Sequence, residues 1–587
     1  MIWTGAGQII VLVALLLLVT KPLGSYMAKV FSGKITFLSN LLLPLERLTY
    51  RLAGVDPTVE QRWTIYAGAC LSFCTVGFLI FYVLLRMQGM LPLNPQHFGT
   101  PQAPPNAVPM TPDLAFNIAV SFMTGTSWQS YPGEMTLSYL TQMMGVVAHS
   151  FASAAVAMAI AAAMIRGFAR EKSRTIGNFW VDLTRATLYV LLPLSFVGGL
   201  ILCSLGVIQN VKPYREVTTV EGTRQVIANG PVASQESIKL LSAADGGGFF
   251  NANSAHPYEN PTPVSNMFEM FLILAIPAAM TYTFGRMVGD QRQGWTLFAV
   301  MAALLICGSG IIAWGEQQHH PALTAVGGGN MEGKEVRFGV DASALFSAVS
   351  TASSDGAINS QHASFAPISG LVQLFNLTSG ELIFGGAGTG LVSMILMVAL
   401  TVFIAGLMVG RTPEYLGKKI EAKEMKMVML SYVATSVPIL VFTAASVLVH
   451  FHPGSYWNPP GAATANIANG GPHGFTEILY ANASAVATNG AAFAGLNANT
   501  PWFNLVLGLE MLMGRFLVII PALAIAGSLA RKQRMVATSG TLPTHGPLFF
   551  ALLIGAIVLV TALTFLPALA LGPIAEHFAM RSGTIFR

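Results

Sequence analysis

The chain has 587 residues, of which 53% are hydrophobic and only 10% are charged. Because a soluble domain carries about a quarter charged residues, this composition excludes an ordinary soluble protein and predicts a polytopic membrane protein. The net charge of +5 reflects the basic loops described next, so nucleic acid is not an expected partner.

Ten apolar runs are each long enough to cross a hydrocarbon core of ~30 Å. In chain order they cover residues 5–26, 63–87, 137–165, 179–208, 265–289, 294–314, 369–410, 427–451, 503–530 and 547–573. No basic stretch precedes the first run, so we expect a retained helix there rather than a signal peptide. Lys and Arg concentrate in alternate loops and are absent from loops 88–135 and 452–502. The positive-inside rule therefore predicts cytoplasmic basic loops and both termini outside.

A unit of span, outer polar loop and span recurs four times, over residues 63–165, 179–289, 294–410 and 427–530. Residues 1–62 add a flanking helix with a cytoplasmic loop, and residues 540–587 add a second flanking helix. Within the units, segments 113–125, 235–244, 342–353 and 475–487 are too short to span the membrane. They are predicted to be re-entrant pore helices whose C-terminal ends direct partial negative charge at a central cation. The sequence thus predicts an all-α fold of four helix–pore-loop–helix repeats around a pseudo-fourfold pore, plus two flanking helices.

A short polar loop follows each predicted pore helix. Backbone carbonyls stay bare at membrane depth only where they line water or hold an ion, so four such loops predict a fourfold K⁺ filter. Glycine would aim the carbonyls inward in repeats two to four, whereas Gln129 stands near that place in repeat one. The candidate K⁺-binding residues are Thr126, Ser127, Trp128, Gln129, Ala244, Asp245, Gly246, Ser354, Asp355, Gly356, Thr488, Asn489 and Gly490. Asp245 and Asp355 would also raise the local cation concentration. The alternative is that these glycine-rich loops are only turns between helices.

The seventh run, residues 369–410, is about twice as long as one span requires. A glycine-rich stretch interrupts it, and Glu381 would be costly facing lipid. We predict a discontinuous helix whose mobile loop lies beneath the filter and gates or redirects the ion. The candidate gating residues are Glu381, Gly385, Gly386 and Gly388. A plain kink with a cytoplasmic extension is the alternative.

Arg515 lies inside the ninth apolar run, where a cation by default indicates function. Beneath a filter it would form an electrostatic barrier against ion leakage, and an ion pair with Glu510 or Glu381 is the structural alternative. No nucleotide-binding motif, zinc-like spacing or nucleophile–base pair occurs in the sequence, which disfavours a membrane-embedded enzyme.

Five segments together resemble the KdpA family, the potassium-binding subunits of the bacterial Kdp potassium-transporting ATPase. Residues 245–257 with 259–261 are similar to the second filter of that family. Residues 128–134, 353–357 and 489–496 resemble its other three filters, and residues 512–516 resemble its fourth-repeat pore-lining helix. The resemblance extends over essentially the whole chain.

The resemblance implies a non-catalytic subunit of an ATP-driven, high-affinity K⁺ uptake pump in the bacterial inner membrane. It implies three protein partners within the lipid bilayer: an ATP-hydrolysing P-type subunit (KdpB), a single-span subunit (KdpC) and a small stabilising peptide (KdpF). K⁺ would be selected here and pass through an intersubunit tunnel to the P-type subunit, with no nucleotide bound by this chain. The alternative function is an autonomous K⁺ channel or symporter of the Trk/Ktr/HKT type.

Overall fold

The computed structural model describes residues 5–242, 246–318, 329–410, 412–450, 466–536 and 542–583. Within these ranges, ten helices are long and apolar enough to cross a membrane. We number them spans 1 to 10: Gly5–Phe31, Trp63–Met90, Thr141–Ala169, Phe179–Ser204, Pro263–Val288, Gln291–Gln317, Thr389–Met408, Ala422–Val449, Pro501–Arg531 and Pro547–Arg581. The prediction of an all-helical polytopic membrane protein with about ten spans is confirmed.

Burial alternates along the spans. Spans 3, 5, 7 and 9 have 83%, 78%, 61% and 61% of their most apolar window buried, whereas the other six have between 22% and 39%. In each predicted repeat the second span is therefore the inner one, and the first span faces outward. Spans 1 and 10 are among the outermost helices, as flanking helices should be.

Four short, almost wholly buried helices stand between the two spans of the predicted repeats. They are Pro112–Thr124, Val232–Ser242, Gly339–Ser353 and Gly471–Val486, and we call them pore helices 1 to 4. Pore helix 1 begins where the Thr111 hydroxyl caps the Leu114 amide and Pro112 occupies the first turn. Their bounds lie within a few residues of the predicted re-entrant segments.

The seventh apolar run is broken in the structure. A helix over Pro367–Ser379 ends at Gly380, and Thr389–Val409 forms a separate helix. Between them, Gly380, Glu381, Phe384 and Gly386 have positive φ angles of 79°, 54°, 51° and 40°. Helical hydrogen bonding cannot continue through such backbone, so the discontinuous helix is confirmed and the plain kink is wrong.

The remaining described elements are small. Helix Ser39–Ala53 follows span 1, and helix Ala575–Arg581 ends span 10. Strands β1 (Arg215–Thr218) and β2 (Arg224–Ile227) form an antiparallel hairpin, as do β3 (Glu414–Tyr415) and β4 (Lys418–Lys419). Short 3₁₀ turns occur at Gln88–Met90, Gly133–Met135, Asn253–Ala255 and His362–Ser364. Stretches with π-helical hydrogen bonding occur at Thr141–Val147, Ala186–Leu191 and Ala570–Ile574.

Candidate ion-selectivity filter

The loops after the four pore helices meet in a closed ring. We call them loop 1 (125–129), loop 2 (246–248 as described), loop 3 (354–357) and loop 4 (488–491). A Cβ atom added to Gly246 would overlap the backbone of loop 3, and one on Gly356 would overlap the carbonyl oxygen of Asn489. A Cβ on Gly490 would overlap the carbonyl oxygen of Thr126 in loop 1. Loop 1 then meets loop 2, because a Cβ on Gly247 would lie 3.0 Å from the Ser127 carbonyl oxygen.

Glycine is required at two of these positions by backbone angle as well as by space. Gly356 and Gly490 have φ angles of 87° and 93°, in the region that L side chains avoid. Any side chain there would be strained and would also displace the neighbouring loop. The predicted glycines of repeats three and four therefore lie where the loops approach most closely.

The register of loop 1 differs from the prediction. In loops 3 and 4 the residue two positions before the glycine also has a positive φ angle, 57° at Ser354 and 49° at Thr488. Loop 1 has the same pair of positive φ angles at Gly125 (73°) and Ser127 (55°). Ser127 thus stands at the glycine position, and the expectation that Gln129 stands near it is wrong. Pore helix 1 ends at Thr124, so the loop begins earlier than the sequence motif suggested.

A serine at one fixed spacing explains this register. The backbone N–H of Thr126 donates to the Ser121 carbonyl (2.8 Å), that of Asp355 to the Ser350 carbonyl (3.3 Å), and that of Asn489 to the Ser484 carbonyl (2.9 Å). These three serines precede the central loop residues by five positions. That spacing is a signal in the sequence that would have aligned loop 1 correctly.

Two candidate residues of loop 1 lie behind the ring. Trp128 is buried, its carbonyl accepts the Ser121 hydroxyl (3.0 Å), and its indole N–H donates to Ser130 (2.8 Å). The Gln129 amide donates to the Gly248 carbonyl at 3.2 Å and so joins loop 1 to loop 2. Gln129 therefore links two loops, whereas the hydrogen bonds of Trp128 fix loop 1 to pore helix 1 and to Ser130.

Loops 3 and 4 close with the same side-chain turn. The Asp355 carboxylate accepts the Ala357 N–H at 3.1 Å, and the Asn489 amide oxygen accepts the Ala491 N–H at 2.9 Å. The Asn489 amide nitrogen also donates to the Ser350 carbonyl at 2.9 Å, which ties loop 4 to pore helix 3. Ala244 and Asp245, the predicted counterparts in loop 2, lie outside the described residues.

The non-helical segment 380–388 lies directly beneath the ring. The Thr488 hydroxyl of loop 4 donates to the Glu381 carboxylate. The Gly386 N–H donates to the Ser353 carbonyl (2.9 Å) at the end of pore helix 3, and the Ala387 N–H donates to the Ser242 carbonyl (3.2 Å) at the end of pore helix 2. The segment therefore contacts loop 4 and the C-terminal ends of pore helices 2 and 3. This is the position predicted for a gating loop.

Glycines let this segment pack without gaps. A Cβ on Gly385 would overlap the Glu381 carbonyl oxygen, and one on Gly388 would lie 2.5 Å from the Ala157 carbonyl oxygen of span 3. A Cβ on Gly386 would overlap the Thr389 hydroxyl. The three predicted glycines are thus positions of close approach between backbones and side chains.

Arg515 is buried beneath the ring without an acidic partner. Its guanidinium donates to the Ser153 carbonyl of span 3 at 3.1 Å, and among the described residues it forms no salt bridge. The alternative of an ion pair with Glu381 or Glu510 is therefore wrong. A cavity of about 40 Å³ brings Glu381, Thr389 and Arg515 together in its lining. The Arg515 guanidinium therefore places a positive charge on the wall of this cavity.

A second cavity continues sideways from the first. The two share Thr378, Ser393 and Thr435 in their linings, and the second extends to span 10. Hydroxyl groups line it, including those of Ser379, Ser431, Thr561 and Thr564. The sequence analysis missed this feature, although Ser and Thr inside otherwise apolar spans were visible signals.

Comparisons with known proteins agree over the whole chain. A family model described as "KdpA: Potassium-transporting ATPase A subunit" matches residues 10–578. A potassium-transporting ATPase potassium-binding subunit from Mesorhizobium japonicum is 54% identical over 581 residues, covering 99% of each chain. The subunit of the same name from Solibacter usitatus is 53% identical over 586 residues, again with 99% of each chain covered. The crystal structure of the potassium transporter TrkH from Vibrio parahaemolyticus aligns with a TM-score of 0.49 and 15% identity, over 86% of this chain and 97% of that one. On the family match and the two bacterial relatives, the chain belongs to the KdpA family, the potassium-transporting ATPase A subunits.

Proposed function

We propose that the ring of four loops is the site at which this chain selects K⁺ before the ion moves on to a separate ATP-hydrolysing subunit. As a KdpA-family member, the chain is the potassium-binding subunit of a potassium-transporting ATPase, and the catalytic ATPase is another subunit. The observation that carries the proposal is the closure of the ring, in which each loop contacts the next in the order 1–2–3–4–1.

The ring has the chemistry that K⁺ selection requires. Carbonyl oxygens can replace the hydration shell of K⁺ when the surrounding backbone holds them at fixed positions. The pore helices end at the ring, so the partial negative charge of their C-termini adds to the attraction for a cation. The buried Asp355 supplies a carboxylate within loop 3.

Beneath the ring, charge and cavity shape favour a sideways route. An ion moving straight down would meet the Arg515 guanidinium, whereas the hydroxyl-lined cavity leads from Thr378 and Thr435 toward span 10. Segment 380–388 lies between the ring and the first cavity, the one lined by Arg515, and touches both through Glu381. We infer that this segment regulates passage and that K⁺ leaves laterally toward the P-type subunit.

The same reading assigns topology and partners. With the pore helices and the Lys- and Arg-free loops outside, both termini lie on the outer side of a bacterial inner membrane. Spans 1, 2, 8 and 10, which have only 22% to 28% of their windows buried, offer apolar faces to lipid and to KdpB, KdpC and KdpF. An autonomous channel of the Trk/Ktr/HKT type would use a similar ring but has no need of a lateral exit.

The experiment uses the tagged chain purified together with the products of its neighbouring genes. ATP hydrolysis by the preparation should be stimulated by K⁺ and not by Na⁺. Gly356→Ser should raise the K⁺ concentration for half-maximal activity at least roughly tenfold, because the side chain displaces loop 4.

The matched control is Gly289→Ser. Gly289 has a similar φ of 83° at the end of span 5, but a Cβ there meets nothing within 4 Å. If both variants keep the parent K⁺ dependence, the ring is not the filter. If the chain purifies alone and conducts K⁺ in liposomes without ATP, the channel function is supported instead.

A further inference from the structure

A buried cluster of charged side chains that includes a lysine stands behind loop 2. Pore helix 2 contributes Glu236 and Lys239, whose side chains are 0% and 1% exposed. Glu259, from the segment between loop 2 and span 5, lies in the same cluster and is also fully buried. Burying charged groups is costly unless they are paired and hydrogen-bonded, so a cluster of this kind indicates a specific structural or functional role.

The cluster holds one ammonium group within 4 Å of two carboxylates, and a third carboxylate, that of Glu269 in span 5, is buried beside them. The Lys239 Nζ lies 2.7 Å from the Glu236 carboxylate and 3.6 Å from that of Glu259. The second oxygen of Glu259 accepts the Phe250 N–H at 2.8 Å, so the cluster is also bonded to the loop backbone. These contacts leave the Lys239 ammonium little freedom to move.

The Asn253 side chain links the Lys239 ammonium group to the ring. The Lys239 Nζ donates to the Asn253 amide oxygen at 2.7 Å, and the Asn253 amide nitrogen donates to the Gly246 carbonyl at 2.6 Å. Gly246 is the loop 2 residue whose close contact with loop 3 closes the ring. The Asn253 side chain therefore joins a fixed buried cation to a candidate ion-binding carbonyl.

The backbone conformation at Asn253 favours this contact. Asn253 has a φ of 55°, a conformation that Asn, Asp and Gly adopt far more readily than other residues. Its amide oxygen also accepts the Ser254 N–H at 2.8 Å, which fixes the orientation of the amide group. With the oxygen held by Lys239 and Ser254, the nitrogen has one direction in which to donate, toward Gly246.

We propose that Asn253, oriented by Lys239, is a positioning residue that fixes the Gly246 carbonyl and thereby contributes to the choice of ion in the ring. The inference rests on the proposed filter function and adds a residue outside the four loops. A carbonyl that is held by a donor from behind cannot tilt freely to suit a smaller or larger cation. Loss of that donor should change which ion is preferred, and not only how tightly K⁺ binds.

The test compares two Asn→Asp substitutions in the same short segment, made in the assembled ATPase complex. Asn253→Asp keeps the shape, the positive φ and the oxygen that Lys239 and Ser254 require, but it removes the donor to Gly246. Asn251→Asp adds the same charge two residues away at an exposed position, so it reports any long-range effect of charge. The half-maximal concentrations of K⁺ and Rb⁺ for ATP hydrolysis are measured at constant ionic strength.

We expect Asn253→Asp to change the ratio of the K⁺ and Rb⁺ half-maximal concentrations by roughly tenfold and Asn251→Asp to change it less than about twofold. Asn253→Gly is the second variant, because it suits the same backbone angle and removes the donor without adding charge. It should shift the ratio in the same direction as Asn253→Asp. If both Asn253 variants assemble and keep the parent ratio, the inference is wrong.

The Gly356→Ser variant separates this failure from failure of the filter itself. A shifted K⁺ dependence in Gly356→Ser with unchanged Asn253 variants would overturn the inference alone. Unchanged K⁺ dependence in all of these variants would overturn the filter as well.

Discussion

Loops 2 and 4 belong to the same ring but are held in different ways. Loop 4 is fixed mainly by neutral groups: the Asn489 amide bonds to the Ala491 N–H and the Ser350 carbonyl, and the Gly490 N–H donates to the Ser484 hydroxyl (3.0 Å). Its one bond to a charged group is from the Thr488 hydroxyl to the Glu381 carboxylate. Loop 2 is fixed through Asn253 by a buried ammonium group and its carboxylates. Equivalent positions in a pseudo-fourfold pore therefore need not have equivalent support.

The difference predicts different vulnerabilities. A loop held mainly by neutral hydrogen bonds to the neighbouring pore helices should be sensitive to any atom added at its closest contact. A loop held by a charge network should respond to changes that never touch the ring, including removal of a distant charge or a change of pH.

The largest effect is expected from Gly490→Ala, which tests loop 4. Its Cβ would overlap the Thr126 carbonyl oxygen and would also require a φ of 93°. Strain of about 1–3 kcal/mol would weaken K⁺ stimulation of ATP hydrolysis roughly 10- to 100-fold. Gly54→Ala is the control, since Gly54 has a φ of 64° with open space around it. Equal K⁺ dependence in the two variants would show that loop contact is unimportant.

The next effect tests the charge network of loop 2. Lys239→Met removes the ammonium that orients Asn253 and leaves Glu236 without its cation, so we expect a roughly tenfold loss of K⁺ affinity. The control is Lys418→Met, another buried lysine, which donates to the carbonyls of Leu529 (3.1 Å) and Lys532 (2.6 Å) far from the ring along span 9. That variant should lower the melting temperature while leaving the K⁺ dependence unchanged. The contrast fails if both lysines affect K⁺ affinity alike.

A smaller effect is expected from Thr488→Val, which separates loop 4 from the segment beneath it. The substitution removes the hydroxyl that donates to Glu381 and nearly preserves the side-chain volume. If segment 380–388 regulates passage, the maximal rate of K⁺-stimulated ATP hydrolysis should change about threefold while the half-maximal K⁺ concentration stays constant. A change confined to the half-maximal concentration would place Thr488 in ion binding alone.

The smallest predicted effect is a pH dependence of stability that arises from the charged cluster behind loop 2. Burial, together with the nearby Glu236 carboxylate, raises the pKa of Glu259 from 4.5 to about 8, while Lys239 opposes the shift. The folded protein then keeps a proton that the unfolded chain releases, so stability should fall as the pH rises from about 5 to 8 and level off above that. The Glu134 carboxylate also raises the pKa of Glu259, and it is unchanged in the variants described below.

The corresponding measurement is the melting temperature of the detergent-solubilised complex between pH 5 and pH 9. Glu259→Gln keeps an oxygen for the Phe250 N–H and should flatten the decline. An Asn251→Gln variant, at an exposed position in the same segment, adds no titratable group and should keep the parent slope, because Glu259 is unchanged in it. An unchanged slope in Glu259→Gln would mean that Glu259 is ionised in the folded protein.

The sequence could predict the parts of the fold that depend on hydropathy and on glycine content. Ten apolar runs and four segments too short to span follow directly from hydropathy and length, and the glycine density near Glu381 favoured a broken helix over a plain kink. The loop motifs also identified the KdpA family, which the family match confirms. The repeat boundaries remain a prediction that the burial alternation supports.

Other features could not be found in the same way. Loop 1 has Ser127 at the position where loops 3 and 4 have glycine, so no glycine marked it and Gln129 was predicted near that position instead; only the spacing from Ser121 could have given the register. Glu236 and Lys239, three residues apart, are typical of an exposed helix face, and nothing local indicates that both are buried. The bond from Asn253 to Gly246 depends on a positive φ that the residue type permits but does not require.

The central claim is that K⁺ binds within the ring, and anomalous diffraction from crystals of the assembled complex soaked in Tl⁺ would test it most directly. Tl⁺ substitutes for K⁺ and can be located without reference to the protein atoms. We predict anomalous density inside the ring, next to the carbonyls of loops 1 to 4, which weakens strongly in Gly490→Ala and persists in Gly54→Ala. Density found only outside the ring, in complexes that still hydrolyse ATP in response to K⁺, would contradict the account.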